Sequence, residues 1–261
     1  MKKLLIIFIF VFTFFFIGCG QTMSFRYKNS EKYNIGEASF NPSDVSNIKA
    51  EWAGTNAIIT TYEGEEIHIY EDLDEGTSEK YQLHYYLNNG TLYIEPCASL
   101  LFPQFNFKTK VLHLEIPFGT TFESFNFDLV STSGTFNDIN AKDIDIDSVS
   151  GNLTITNLKG DKIDIDAVSG AIALANVSGE KIDIDSVSGA ISLTDMEGNI
   201  NLDTVSGSID IYIGEEVGFE IVKVESVSGN FDNEFGVKKQ GEAIVKYDIE
   251  TTSGNITIHK K

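Results

Sequence analysis

From about residue 121 to the C-terminus, apolar and polar positions alternate one by one, most plainly as Ile-Asp-Ile-Asp at 144–147, 163–166 and 182–185. A period of two describes a strand with one dry and one wet face. A helix fails, because Ile182 and Ile184 would point about 200° apart. The alternation is itself periodic. Val149-Ser150-Gly151 returns as Val168-Ser169-Gly170, Val187-Ser188-Gly189, Val205-Ser206-Gly207 and Val227-Ser228-Gly229, with outlying copies at Thr132-Ser133-Gly134 and Thr252-Ser253-Gly254. The glycines are 17, 19, 19, 18, 22 and 25 residues apart. Each unit splits into like halves: Leu153, Ile155 and Leu158 precede Gly160, and Ile163, Ile165 and Val168 precede Gly170. Small polar residues and glycine at the end of each half supply the corners. Two strands per ~19 residues close one coil, and coils stack by parallel pairing about 4.8 Å apart. The fold class is therefore all-β, a parallel β-solenoid, with right-handed winding expected from the crossover default. Whether the Val-Ser-Gly corner forms a short third side is open at this point.

Residues 36–120 carry strands of weaker period at Ala57–Thr61, Glu66–Tyr70, Tyr81–Leu87, Thr91–Glu95 and Lys110–Ile116. Asn88-Asn89-Gly90 is a hairpin turn, and Pro117-Phe118-Gly119 stops the last strand. A solenoid needs its first coil covered, so this part reads as an irregular strand-rich cap on residues 121–261, the whole forming one elongated domain.

The N-terminus is an address. Met1-Lys2-Lys3 precedes an apolar run, Leu4 to Ile17, broken only by Thr13. At about 1.5 Å per residue that run is shorter than the ~20 residues a bilayer core requires. Residues 1–18 read as a signal peptide. Phe16-Ile17-Gly18-Cys19 resembles the lipobox of bacterial lipoproteins, with Phe16 where leucine is usual. The resemblance implies that Cys19 is diacylated and anchors the chain to the outer leaflet of the cytoplasmic membrane. The alternatives are a plain signal peptide or a membrane anchor. Residues 19–35 read as a polar tether. Cys97 is then a lone thiol, expected to be buried and quiet.

The chain has 261 residues, 39 acidic and 19 basic, for a net charge of −20. That balance excludes a nucleic-acid partner, whose phosphates need Lys and Arg. A hydrophobic content of 42% excludes a disordered chain.

With Leu112-His113-Leu114-Glu115-Ile116-Pro117 followed by ladders of Val-Ser-Gly and Ile-Asp, residues 36–261 resemble the bacterial putative-adhesin β-strand-repeat family, a domain of unknown function common on lipoproteins. The resemblance implies architecture and brings no catalytic residues.

Stacked in register, the repeats give two outward columns. One holds Asp128, Asp145, Asp164, Asp183, Asn201, Lys223 and Asp248; the other Val130, Asp147, Asp166, Asp185, Asp203, Glu225 and Glu250. Like charges about 4.8 Å apart repel by on the order of 1 kcal/mol even in water. Calcium is the candidate ion, on Asp145, Asp147, Asp164, Asp166, Asp183 and Asp185, with millimolar affinity. The alternative is a solvated acidic face without cofactor. Paired carboxylates also suit a polysaccharide-cleaving enzyme, but no one pair is singled out and no basic groove is evident. His68, His84, His113 and His259 lack metal-ligand spacing. Trp52, Phe102, Phe105 and Phe107 read as core or, alternatively, as an aromatic ligand patch. The function expected is a non-catalytic, lipid-anchored binding or scaffold surface, adhesin-like toward an envelope polymer or, alternatively, an envelope accessory docking onto membrane proteins of its own cell, in stress sensing.

Overall fold

The computed structural model describes residues 25–100 and 107–261. The segment holding the signal peptide and Cys19, and the residues Phe102 and Phe105, lie outside them. The described chain is all-β apart from three short 3-10 turns, and its strands form one curled sheet that folds over to give two ladders facing each other.

The acidic ladder runs, in space, through Thr91–Glu95, Asn47–Ala53, Phe122–Val130, Ala141–Ser150, residues 162–169, 181–188 and 199–206, then Val245–Ser253 and Phe219–Ser228. The opposite ladder runs through Lys110–Pro117, Asn56–Tyr62, Ser133–Asn137, residues 153–158, 172–177 and 191–196, then Ile209–Ile213, Ile256–Lys260 and Phe231–Asn233. All these pairings are parallel, and Asp145, Asp164 and Asp183 stand beside one another at 19-residue offsets. Every second side chain points between the ladders. Ile163, Ile165, Ile172, Leu174, Ile182 and Ile184 are essentially inaccessible, as the alternation demands.

The corners of each coil are built differently. At the Val-Ser-Gly corner, glycines stack backbone to backbone. Gly189 has φ +135°, and a Cβ there would lie 1.9 Å from the carbonyl oxygen of Gly170. Glycine is obligatory on both counts. A second corner is made by Asp138, Asn157, Asn176 and Asp195, all left-handed at φ 51 to 60°. Their side chains hold the corner together: Asn157 Nδ2 donates to Asp138 Oδ1 at 2.7 Å, and Asn176 Nδ2 to Asn157 Oδ1 at 3.0 Å. After each bend a three-residue side, such as 158–160 on 177–179, completes the coil, and the expected glycines Gly160, Gly179 and Gly198 stand in register at a third corner, where this short side ends.

Four expectations are corrected. First, residues 36–120 are not only a cap. Asn47–Ala53 and Asn56–Tyr62 pair in parallel with Phe122–Val130 and Ser133–Asn137, so the stack begins there. The covering role falls to Ile67–Leu73 and His84–Asn88, which run antiparallel, and to the short Ala38–Phe40 and Asn34–Ile35 outside them. Second, Thr132-Ser133-Gly134 is not a copy of the corner. Gly134 pairs with Leu153, and Thr132 occupies the place below Gly151. Third, the coils do not stack in chain order. The C-terminal pair Val245–Ser253 and Ile256–Lys260 lies between the coil of 199–213 and the coil of Phe219–Ser228, which ends the stack. Fourth, the tether is shorter than expected. Phe25 is buried and bridges to Leu100, Tyr27 Oη donates to the Cys97 carbonyl at 2.9 Å, and Asn34–Ile35 is a strand.

Close approach at the Gly corner makes a sharp prediction. Gly189→Ala costs on the order of 3 kcal/mol or more, roughly 10 °C in Tm. Gly119→Ala, also at positive φ but with nothing within 4 Å, costs about 1 kcal/mol. Thermal denaturation of both variants checks this, and equal losses would contradict it.

Candidate functional site

The outward side of the acidic ladder carries the densest chemistry, and its register differs from the expected columns by one step of two residues at the first coil. Asn126 stands beside Asp145, and Asp128 beside Asp147. The reason is the misread corner: the misplaced Gly134 had shifted the frame. The first column is Lys49, Asn126, Asp145, Asp164, Asp183, Asn201, Asp248 and Lys223. The second is Glu51, Asp128, Asp147, Asp166, Asp185, Asp203, Glu250 and Glu225, carboxyls throughout. Because Ala50 pairs with Ile94, Glu95 stands next to Glu51 and extends the second column by one place.

These carboxyls are not simply solvated. Asp183 is 1% exposed, Asp185 5% and Glu95 6%, since each rung shields the next. Lysines relieve the first column: Lys162 reaches Asp164 at 3.3 Å, and Lys181 pairs with Asp183. The second column has less help in its middle. Burial, reinforced by the neighbouring carboxylates, pushes the pKa of Asp147 up to about 7 and that of Asp166 to about 8. Burial and the nearby Glu51 push Glu95 to about 9. Glu51, Asp128, Asp145 and Asp203 are raised too, burial being the first cause in each. Asp147 and Asp128 share a hydrogen bond. Near neutral pH the middle of the column therefore carries protons where the chain pattern suggests charges. At the far end Lys223 pairs with Glu250 and, at 3.2 Å, with Glu225, and the hydrogen bond it donates holds Glu250 below the usual carboxylate range.

The six aspartates proposed for calcium divide between the columns, Asp145, Asp164 and Asp183 in one and Asp147, Asp166 and Asp185 in the other. Among the described residues, no three His, Cys, Asp or Glu are grouped so as to hold a metal ion. The four histidines lie apart. His113 pairs with Asp72 at 2.9 Å and stacks on Tyr70, while His259 lies 3.0 Å from Asp210 and stacks on Tyr212. Trp52 is fully buried between the ladders, the core outcome of its two readings.

Two features had no signal in the chain. Lys110 is wholly buried, 2.6 Å from Glu71 and 3.0 Å from the Tyr81 carbonyl, with Nζ 4.5 Å from the Trp52 ring. Such a pair fixes geometry more than it stabilises. Cys97 lies nearby, its thiol pushed up to about 12 by burial, which makes it unreactive. The second feature is a run of tyrosines at the end of the acidic columns. The ring centroids of Tyr27 and Tyr33 are 4.4 Å apart, those of Tyr33 and Tyr86 5.4 Å, and those of Tyr86 and Tyr93 6.3 Å.

A family model described as Toastrack DUF4097 matches residues 45–259, the whole two-ladder stack. The chain belongs to the Toastrack family. No curated protein matches it. Among solved structures the Toastrack chain is similar to a putative adhesin from Bacteroides fragilis NCTC 9343, at 14% identity and TM-score 0.49, covering 87% of this chain and 97% of that one. A putative lipid binding protein from Parabacteroides distasonis ATCC 8503 has 14% identity and TM-score 0.45, covering 88% and 97%. A putative cell adhesion protein from Clostridium sporogenes ATCC 15579 has 13% identity and TM-score 0.38, covering 87% and 100%.

The raised carboxyls fix a pH dependence. Their folded pKa values lie above the unfolded ~4, so the folded Toastrack domain holds protons that the unfolded chain releases. The associated stability is complete below about pH 4 and is lost as pH rises through 7 to 9. At constant ionic strength, Tm falls between pH 5.5 and pH 9. Asp166→Asn, a neutral isostere, restores on the order of 2 kcal/mol at pH 9 and almost nothing at pH 4. A Tm that rises over this range, or an equal effect of the variant at both pH values, would contradict the assignment.

Proposed function

We propose that this Toastrack protein is a non-catalytic, extracytoplasmic binding or scaffold module, anchored by lipid on Cys19 to the outer leaflet of the cytoplasmic membrane. Its right-handed solenoid of about 19 residues per coil presents the acidic ladder to an envelope partner, in the adhesin-like manner of a surface-polymer binder. One observation carries this reading. The outward columns run the length of the domain without a break, and the raised carboxyls are spread along one of them rather than set as a single acid–base pair of the kind a glycosidase needs. Among the described residues no helix is long and apolar enough to cross a membrane.

A second reading is favoured by the docking of Phe25 against Leu100. Only residues 19–24 then separate the lipid from the domain, at most about 20 Å of chain. Such a reach holds the module close to its own membrane and suits an envelope accessory that docks onto membrane proteins. Cys19→Ser releases the protein from the membrane fraction in both readings. The full chain in detergent binds purified envelope polymer in the first, whereas in-cell crosslinking recovers membrane proteins and no polymer is bound in the second. Retention of the Cys19→Ser protein on membranes would contradict both.

The six aspartates are proposed as a low-affinity calcium face, where the ion would bridge neighbours in pairs rather than sit in a cage. The mutual repulsion of Asp145, Asp164, Asp147 and Asp166 supports this. Millimolar calcium at constant ionic strength then raises Tm by several degrees over EDTA, and magnesium does not. No shift retires the calcium face.

A further inference from the structure

The stack is finished at one end and cut open at the other. At the N-terminal end the parallel ladders are covered by antiparallel strands, and the outermost are only two and three residues long. Short edge strands of this kind resist further pairing. At the other end the last coil is Phe219–Ser228 with Phe231–Asn233. A half-lid, Lys239–Gln240, covers only Phe219 and Glu220, and Ile221 N donates to the Lys238 carbonyl at 2.7 Å. Among the described residues, nothing pairs with the outer edge of 222–228.

The side chains tell the same story. Val227 is 85% exposed, although Val149 in an equivalent corner is 36% exposed. Phe231 pairs with the buried Ile256 and faces the same interior, yet it is 40% exposed. Val222 stands out at 58% because it is the extra residue of a bulge between Ile221 and Lys223. Phe235 packs on Phe219 with ring centroids 4.8 Å apart, but from Lys223 to Phe231 the core is sectioned rather than closed, as terminal repeats without a polar outer face are.

Charge says what can cover it. The whole chain carries 39 acidic and 19 basic residues, but residues 221–261 carry six of each. Nearly all of the net charge of −20 therefore lies elsewhere, and two copies can meet at this end without strong mutual repulsion. The free edge is also self-complementary. An antiparallel pair of 222–226 with its own copy, with the two-fold axis at Val224, puts Lys223 opposite Glu225 of the partner subunit and Val224 opposite Val224 of the partner subunit.

We propose that the last coil is a homodimer interface, in which two copies join their open ends by antiparallel pairing of residues 222–226. The interface goes beyond the binding role above and does not depend on it. The pairing is isologous, and the covered N-terminal ends stop it at two copies. The result is a doubled ladder with a domain, and an N-terminus, at either end.

Disulfide trapping tests this in the full chain on native membranes. Cys97 is buried, so Val224→Cys supplies the one new accessible thiol among the described residues, and across an antiparallel pair it meets its copy within disulfide reach. Mild oxidation gives a covalent dimer in most of the protein, at least tenfold more than the exposed control Ala190→Cys. Adding Lys223→Glu lowers the trapped dimer about tenfold, and the swap Lys223→Glu with Glu225→Lys restores it. A dimer band no stronger than the control would overturn the proposal. So would a Val224→Cys adduct to a different protein, or a charge swap that fails to restore trapping while the variants melt as the parent does.

Discussion

Everything in this molecule follows from in-register parallel pairing at an offset of about one repeat. Such pairing places like residues side by side, rung after rung, about 4.8 Å apart. For isoleucine and leucine this is favourable, and it builds a dry core from very little sequence variety. For glycine it is a requirement, because the corners approach until a Cβ would sit 1.9 Å from the next carbonyl. For asparagine it creates a side-chain ladder at the other corner. For aspartate it is a cost, and the molecule meets that cost with lysines on one column and retained protons on the other.

The same constraint explains the electrostatics of the acidic face. Carboxyls that shield one another lose water, and their pKa values climb toward neutrality. The column then responds to pH, because a retained proton relieves a repulsion. Its ends are different environments. One end meets the tyrosines that fold back over Glu95; the other meets Lys223. A surface whose chemistry varies along its length is within reach of a nearly identical repeat.

Much of the fold was legible because the repeat is written in the chain. Ile-Asp-Ile-Asp and Val-Ser-Gly fixed the strand period, the Gly corner and the parallel stack, and Asn89-Gly90 marked a true hairpin. Errors arose where like motifs have unlike places. Thr132-Ser133-Gly134 imitates the corner, yet its glycine sits in a strand; the 17-residue spacing before Gly151 was the clue. The asparagine corner carried a signal in the 19-residue recurrence of Asp138, Asn157, Asn176 and Asp195. The strand Asn47–Ala53 hid behind a weaker alternation. In the candidate site, the aspartates could be placed on one face from period alone. Their burial could not, because it depends on neighbours one coil away. The Lys110–Glu71 pair joins residues 39 apart and had no local sign.

Coil order is the least local property and the one on which the open end depends. Glycine spacings of 22 and 25 announced longer excursions after Gly207, but not that the chain skips one place and returns to fill it. Cysteine pairs decide the matter most directly. With Asp203→Cys and Glu250→Cys in one protein, mild oxidation yields an intramolecular disulfide, because the two positions are adjacent rungs. With Asp203→Cys and Glu225→Cys it does not, because the C-terminal strand lies between them. The reverse outcome would mean that the coils stack in chain order and that the last coil is not the one described.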